Sequence, residues 1–142
     1  MRKGALSGEP AIRYDGAMNQ AAPWPTELRL KDKGRLLCVA FDDGRAVELP
    51  AEYLRVESPS AEVQGHGAGQ RVTQHGKRDV AIGEIVPTGN YAVRLVFDDG
   101  HSTGIYGFDY LRLLGLERDQ RWAAYLAELS AKGLSRDPPG GR

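Results

Sequence analysis

The tetrapeptide Phe-Asp-Asp-Gly occurs twice, at Phe41 to Gly44 and at Phe97 to Gly100, and the chain around each copy reads alike. The first copy lies in Leu36-Leu-Cys-Val-Ala-Phe-Asp-Asp-Gly-Arg-Ala-Val-Glu-Leu49 and is followed by Tyr53-Leu-Arg55. The second lies in Tyr91-Ala-Val-Arg-Leu-Val-Phe-Asp-Asp-Gly-His-Ser-Thr-Gly-Ile-Tyr106 and is followed by Tyr110-Leu-Arg112. Phe41 and Phe97 are 56 positions apart and Tyr53 and Tyr110 are 57 apart, so two units match with one insertion. Asp-Gly between alternating apolar runs is a strong hairpin signal, because Asp tolerates and Gly permits the positive φ such turns need. Two hairpins, each leading into a Tyr-Leu-Arg segment, therefore organise the chain.

The period-two pattern extends this frame to both sides. Leu28 and Leu30 share a face, and Asp32-Lys33-Gly34 turns the chain into Arg35 to Phe41. This predicts strands over about 27–31, 35–41 and 45–49, and then a helical turn over Pro50–Val56 with Pro at its first position, where a missing amide costs nothing. A second meander is predicted over 80–86, 91–97 and 102–106, with Pro87-Thr-Gly-Asn90 as its first turn. Phe108 to Gly115 reads as a short helix stopped by Gly115. A longer helix runs from about Glu117 to Lys132, with Trp122, Tyr125, Leu126 and Leu129 at helical spacing and Gly133 at its end. Residues 57–76 hold too many breakers for a long element and read as a flexible or site-forming loop. The fold class is α+β, a two-layer arrangement of two antiparallel β-meanders with peripheral short helices. Residues 1–22 and 134–142 are expected to be disordered tails flanking a domain at 23–115 and a C-terminal helix at 116–133.

Charge excludes some partners. The 142 residues carry 19 Lys plus Arg against 19 Asp plus Glu, so no overall field draws the chain to nucleic acid or an anionic membrane. No apolar run reaches signal-peptide or membrane-span length, which predicts a cytoplasmic protein without a membrane association. A single cysteine, Cys38, rules out an internal disulfide. Its place in an alternating run marks it as a small core hydrophobe in a reducing compartment.

Few residues invite a chemical reading. Asp42, Asp43, Asp98 and Asp99 are two pairs of carboxylates, but their duplicated setting marks them as turn residues. Gly65-His-Gly-Ala-Gly-Gln70 is glycine-rich without the Lys-Ser/Thr or the strand-to-helix context of a phosphate loop. His66, His75 and His101 are the only imidazoles. A metal site would need His101 with His66 or His75 and an acid such as Glu62 or Asp99. No Gly-x-Ser-x-Gly, His-Glu-x-x-His or His-x-Asp motif occurs, so the residues describe a non-catalytic domain with no cofactor. The segment from Ser58 to Gly69 is polar and glycine-rich beyond what a core needs. Glu62, Gln64 and His66 are its candidate partner-binding residues.

Three stretches together carry a resemblance: Tyr53-Leu-Arg-Val-Glu-Ser-Pro-Ser-Ala-Glu-Val-Gln-Gly-His-Gly67, Gly89-Asn-Tyr-Ala-Val-Arg-Leu-Val-Phe-Asp-Asp-Gly-His-Ser-Thr-Gly-Ile-Tyr106, and Tyr110-Leu111. Over about residues 25–115 the chain resembles the gamma-butyrobetaine hydroxylase-like N-terminal domain family, and a stand-alone bacterial member in particular. The resemblance implies a small α+β domain found alone, at the front of gamma-butyrobetaine and trimethyllysine dioxygenases, or fused to P-loop iron–sulfur carrier proteins. In the dioxygenases the domain holds a structural zinc through three cysteines and a histidine. Those positions fall here on Ser58, Ser60, Val63 and His101, so the resemblance implies that only His101 is retained and that the chain folds without metal. The iron-binding oxygenase region has no counterpart after residue 115, so labels such as metal or iron binding belong to the larger relatives. The resulting expectation is a non-catalytic binding or adaptor module with a protein partner, linked to iron–sulfur or metalloenzyme maturation. The alternatives are a zinc- or iron-binding domain using His101 and an enzyme of unknown reaction.

Overall fold

The computed structural model describes residues 10–14, 23–65 and 69–138. Seven strands form two antiparallel sheets, and four α-helices and a short 3-10 turn at Asp32–Gly34 accompany them among the described residues. The first sheet runs in the order β1 (Ala11–Arg13), β2 (Pro25–Lys31), β3 (Leu36–Phe41), β4 (Ala46–Pro50), and the second in the order β5 (Ile82–Thr88), β6 (Ala92–Phe97), β7 (Ile105–Gly107). Each meander feeds directly into a helix, α1 (Ala51–Val56) after β4 and α3 (Phe108–Leu116) after β7. A one-turn α2 (Ala61–Gln64) follows α1, and α4 (Arg118–Lys132) follows α3. The class is α+β, with two open meanders and short peripheral helices.

Strand parity decides what is buried. Leu28 pairs with Val39 and Leu30 with Leu37 across β2 and β3, and all four are buried. In the second sheet Ile82 pairs with Phe97, and Leu95 also faces inward. These side chains meet Tyr53, Leu54, Phe108, Leu111 and Leu114 of α1 and α3 in one apolar core drawn from both units. Each fully buried Leu or Phe contributes about 1.5–3 kcal/mol relative to exposure, so the shared core is the main reason the two meanders stay together. The same parity corrects one expectation. Cys38 sits opposite Glu48 on the outward-facing positions of β3, not in the core, because its neighbours Leu37 and Val39 take the inner face.

The chain departs from the sequence expectations at several further places. Ala11–Arg13 lies within the segment expected to be a tail, yet it pairs with Glu27 to Arg29 as an added edge strand. Near the other end, Leu134 packs against Val56, Tyr125 and Leu129, Arg136 makes a two-pronged pair with Glu52, and Asp137 pairs with Arg78. Residues 134–137 are thus tied down by side-chain bonds that no local pattern announces. Pro87 belongs to β5, opposite Val93, and the turn begins at Gly89; β5 is an edge strand, where a missing amide is tolerated. Gly115 lies inside α3, which ends at Leu116. A Cβ at this position would stand 2.6 Å from Val47 Cγ1, so the glycine serves close helix-to-strand packing and not helix termination. On α4, Tyr125 and Leu129 are buried while Leu126 is 41% exposed, so the expected stripe is only partly a core contact.

Candidate functional site

The two Asp-Gly turns are built identically. Gly44 and Gly100 have φ of +86° and +93°, a region that glycine enters without a Cβ penalty. Their N–H groups donate to Phe41 O and Phe97 O, and the Phe41 and Phe97 N–H groups donate to Arg45 O and His101 O. Asp42 Oδ1 accepts from the Trp24 N–H and Asp98 Oδ1 from the Ala81 N–H, both at 3.1 Å. Asp43 Oδ1 and Asp99 Oδ1 accept from the N–H two residues on, also at 3.1 Å. The four carboxylates are therefore turn and strand clamps, as their duplicated context predicts.

What the sequence reading missed is that the units bond to each other by exchanging partners. Arg112, from the second Tyr-Leu-Arg, pairs with Asp43 of the first turn at 2.7 Å. Arg55, from the first Tyr-Leu-Arg, pairs with Asp99 of the second turn at 2.9 Å. The Tyr53 hydroxyl donates to Leu114 O at 2.7 Å, and the Tyr110 hydroxyl donates to Glu57 O at 2.6 Å. Both acceptors lie four residues beyond the other tyrosine. The signal was present in the 57-residue spacing of the two Tyr-Leu-Arg segments; the crossing was not. Hydrogen bonds from Arg112 and from the Arg45 N–H hold Asp43 down to about 2. Burial works the other way on Asp99, but the Lys77 ammonium, the His101 N–H and Arg55 bring it to about 2 as well.

At the second turn the exchange has an addition. His101 is 6% exposed, and its two ring nitrogens are both engaged by the segment after α1. Nδ1 lies 2.9 Å from Glu62 Oε1, while Nε2 lies 2.9 Å from Ser58 Oγ and 3.4 Å from Ser60 Oγ. Burial, and then the nearby Arg55 charge, push the imidazole below its usual range, against the Glu62 and Asp99 carboxylates. A carboxylate only accepts, so Nδ1 carries a proton toward Glu62; in the neutral ring Nε2 then accepts from the Ser58 hydroxyl. Gln64 Nε2 donates to Ser58 O at 2.8 Å and Thr103 Oγ1 lies 3.4 Å from Glu62 Oε1. The segment expected to be a flexible or site-forming loop carries, in its described part, the one-turn α2 and these tethers.

The order serine, histidine, acid invites comparison with a nucleophilic relay, and the surroundings argue against it. Ser58 is 0% exposed. A Cβ at Gly104 would stand 2.5 Å from Ser58 Oγ, so backbone already roofs the hydroxyl and no acyl carbon reaches it. A zinc ion fares no better. Ser58 and Ser60 offer neutral hydroxyls in place of thiolates, and Val63, buried on α2, offers no donor. With one imidazole alone suited to the metal, these residues do not fit a structural zinc. His75 is exposed in the segment after residue 69, and His66 lies outside the described residues. Among the described residues no group of three His, Cys, Asp or Glu side chains is placed to hold a metal ion. Of the candidate partner-binding residues, Glu62 and Gln64 are committed to the joint just described.

The model of the family described as "Gamma-butyrobetaine hydroxylase-like, N-terminal" matches residues 28–112. The chain belongs to that family. No curated protein matches it. Solved structures similar to this family member include two described as NMR solution structures. One is 45% identical, covers 84% of this chain and 94% of its own, and has a TM-score of 0.71. The other is 48% identical, with coverages of 87% and 92% and a TM-score of 0.72. A crystal structure of a protein of unknown function of the DUF971 family from Acidithiobacillus ferrooxidans ATCC 23270 is 39% identical, covers 65% of this chain and 92% of its own, and has a TM-score of 0.51.

On this gamma-butyrobetaine hydroxylase-like domain a concave surface of about 400 Å³ lies where α4 crosses the start of α1. Pro50, Tyr53, Trp122, Ala123 and Leu126 supply its apolar lining, with Arg118 and Arg136 beside it. Arg136 stacks 5.2 Å from the Trp122 ring centroid while pairing with Glu52. No helix among the described residues is long and apolar enough to cross a membrane.

Proposed function

We propose that this chain is a non-catalytic binding module that acts in the cytoplasm on a protein partner through the groove between α1 and α4. The observation that carries this reading is the contrast between the groove and the reactive groups. His101, Ser58, Glu62 and the paired aspartates are all engaged in bonds that hold the fold, whereas Leu126 stays 41% exposed beside Trp122. An apolar concavity with a polar rim is the ordinary shape of a recognition surface. The segment around Glu62 and Gln64, attractive in sequence, is less suited because both side chains are tethers. A link to iron–sulfur or metalloenzyme maturation follows from the carrier-protein fusions implied by the resemblance.

Capture from cell extract, quantified for three versions of the chain, tests both the module and its surface. Ala123→Glu with Leu126→Glu changes two exposed positions of α4, so the fold is retained and capture falls by about tenfold or more as charge enters an apolar contact. Glu62→Ala with Gln64→Ala lowers the melting temperature but leaves the retained fraction binding. Full capture by the α4 variant together with loss in the loop variant moves the surface to the loop. A purified chain that turns over a substrate ends the non-catalytic reading.

A further inference from the structure

We infer that the aromatic hollow at the start of α3 binds an arginine side chain presented by a partner protein. The duplication points to it. With the 57-residue offset that relates Tyr53 to Tyr110, Pro50 corresponds to Gly107 and Glu52 to Asp109. Pro50 (φ −61°, ψ 145°) and Gly107 (φ −64°, ψ 153°) enter their helices in the same extended conformation, so Glu52 and Asp109 each stand second in a helix. Each borders a concavity, of about 400 Å³ at Glu52 and about 380 Å³ at Asp109.

At the first concavity the chain supplies its own arginine. Arg136 donates to both Glu52 oxygens, at 2.8 and 2.7 Å, while its guanidinium lies 5.2 Å from the Trp122 ring centroid. A flat cation thus meets a carboxylate at its edge and a ring at its face. The second hollow has the same kinds of groups. Trp24, Tyr91 and Phe108 supply its rings and Asp109 its carboxylate. Asp109 is exposed, and its Oδ1 accepts from the Tyr110 N–H at 2.8 Å, with no ion pair to a basic side chain among the described residues. Arg112, also on the lining, already pairs with Asp43 and stacks 4.8 Å from the Phe41 ring centroid. Tyr91 is 64% exposed, so a large aromatic surface stands open beside an unpaired acid. An anion is repelled by Asp109, and a lysine ammonium, compact and strongly hydrated, does not stack on a ring as a guanidinium does. Arginine suits both the acid and the rings.

The test uses the full-length chain labelled with nitrogen-15 and the peptide acetyl-Gly-Arg-Gly-amide, with its citrulline counterpart as the uncharged control. Adding the arginine peptide should shift the Trp24 indole N–H, which has no acceptor among the described residues, and the Tyr91 and Asp109 amides along one saturable curve. The citrulline peptide should bind about fivefold more weakly or worse, as should the arginine peptide to Asp109→Asn and to Tyr91→Ala. Both substituted residues are exposed, so each variant should melt like the natural chain. Equal binding of the two peptides overturns the inference, and so do the absence of a saturable shift and shifts gathered on α4 around Trp122. Loss in Asp109→Asn with none in Tyr91→Ala reduces the contact to a surface ion pair and overturns the hollow as the site. If a variant misfolds, the two peptides on the natural chain decide alone. None of these residues lines the groove between α1 and α4, so failure here leaves the groove reading standing, and failure of the groove leaves this one standing.

Discussion

At the scale of single residues the two Arg–Asp exchanges look equivalent, but their surroundings differ. The Arg55 side chain is 9% exposed and Asp99 also receives Lys77, whereas the Arg112 and Asp43 pair is more open to water. Removing one partner of a buried pair strands a charge, at a cost of about 3–5 kcal/mol, while exposed pairs contribute about 0–1 kcal/mol. Arg55→Ala should therefore destabilise the chain in urea unfolding by more than Arg112→Ala does. Equal losses would mean that the two exchanges are equally solvated. Asp99 adds a pH signature of known sign. Its carboxyl is held at about 2 in the fold, below the unfolded value of about 3.9, so its contribution is fully present above the unfolded value and disappears as pH falls through about 2. The stability gap between the natural chain and Asp99→Asn should accordingly close as the pH is lowered from about 5 to about 2. A gap that persists at the acid end would show that the amide cannot replace the carboxyl's hydrogen bonds.

At the scale of elements, the contact of α3 with β4 rests on Gly115. In an isolated helix an alanine there would be favoured by about 1 kcal/mol, but its Cβ would stand 2.6 Å from Val47 Cγ1 and 2.8 Å from Val47 Cβ. Overpacking of this kind costs about 1–3 kcal/mol, more than propensity returns. Gly115→Ala should lower the melting temperature, and Val47→Ala in the same chain should recover part of the loss, giving a non-additive double-mutant cycle. Strict additivity would mean that the helix has moved away from the strand. The predicted helix stop at Gly115 erred because local sequence cannot distinguish a glycine that ends a helix from one that lets a strand approach it.

For the molecule as a whole, the exchanged arginines and tyrosines make each unit the other's second half. The core draws on both sheets and on α1 and α3, so neither meander buries its apolar face alone. Cutting the chain between residues 67 and 68 leaves one unit, with its Tyr-Leu-Arg, on each fragment. The two fragments, co-expressed, should associate one to one and unfold in a single transition, and either fragment alone should lack a cooperative transition. Cooperative unfolding by one fragment would show that its meander and helix are self-sufficient.

The duplicated Phe-Asp-Asp-Gly turns, both meanders, the inward faces of β2, β3 and β6 and the general course of the helices were legible in sequence. Each follows from rules that act within a few residues: period-two burial, the positive φ of Gly44 and Gly100, and helical spacing. The family was legible too, from strings long enough to be specific. Tertiary structure alone decided that Arg55 reaches Asp99 while Arg112 reaches Asp43, that residues 134–137 fold back onto α1 and the segment around Arg78, and that His101 closes on Ser58 and Glu62. Those pairings join residues about 40 to 85 positions apart, and no local propensity selects one distant partner over another. They are set by the way two similarly built units share one core, which brings the Tyr-Leu-Arg of each against the turn of the other.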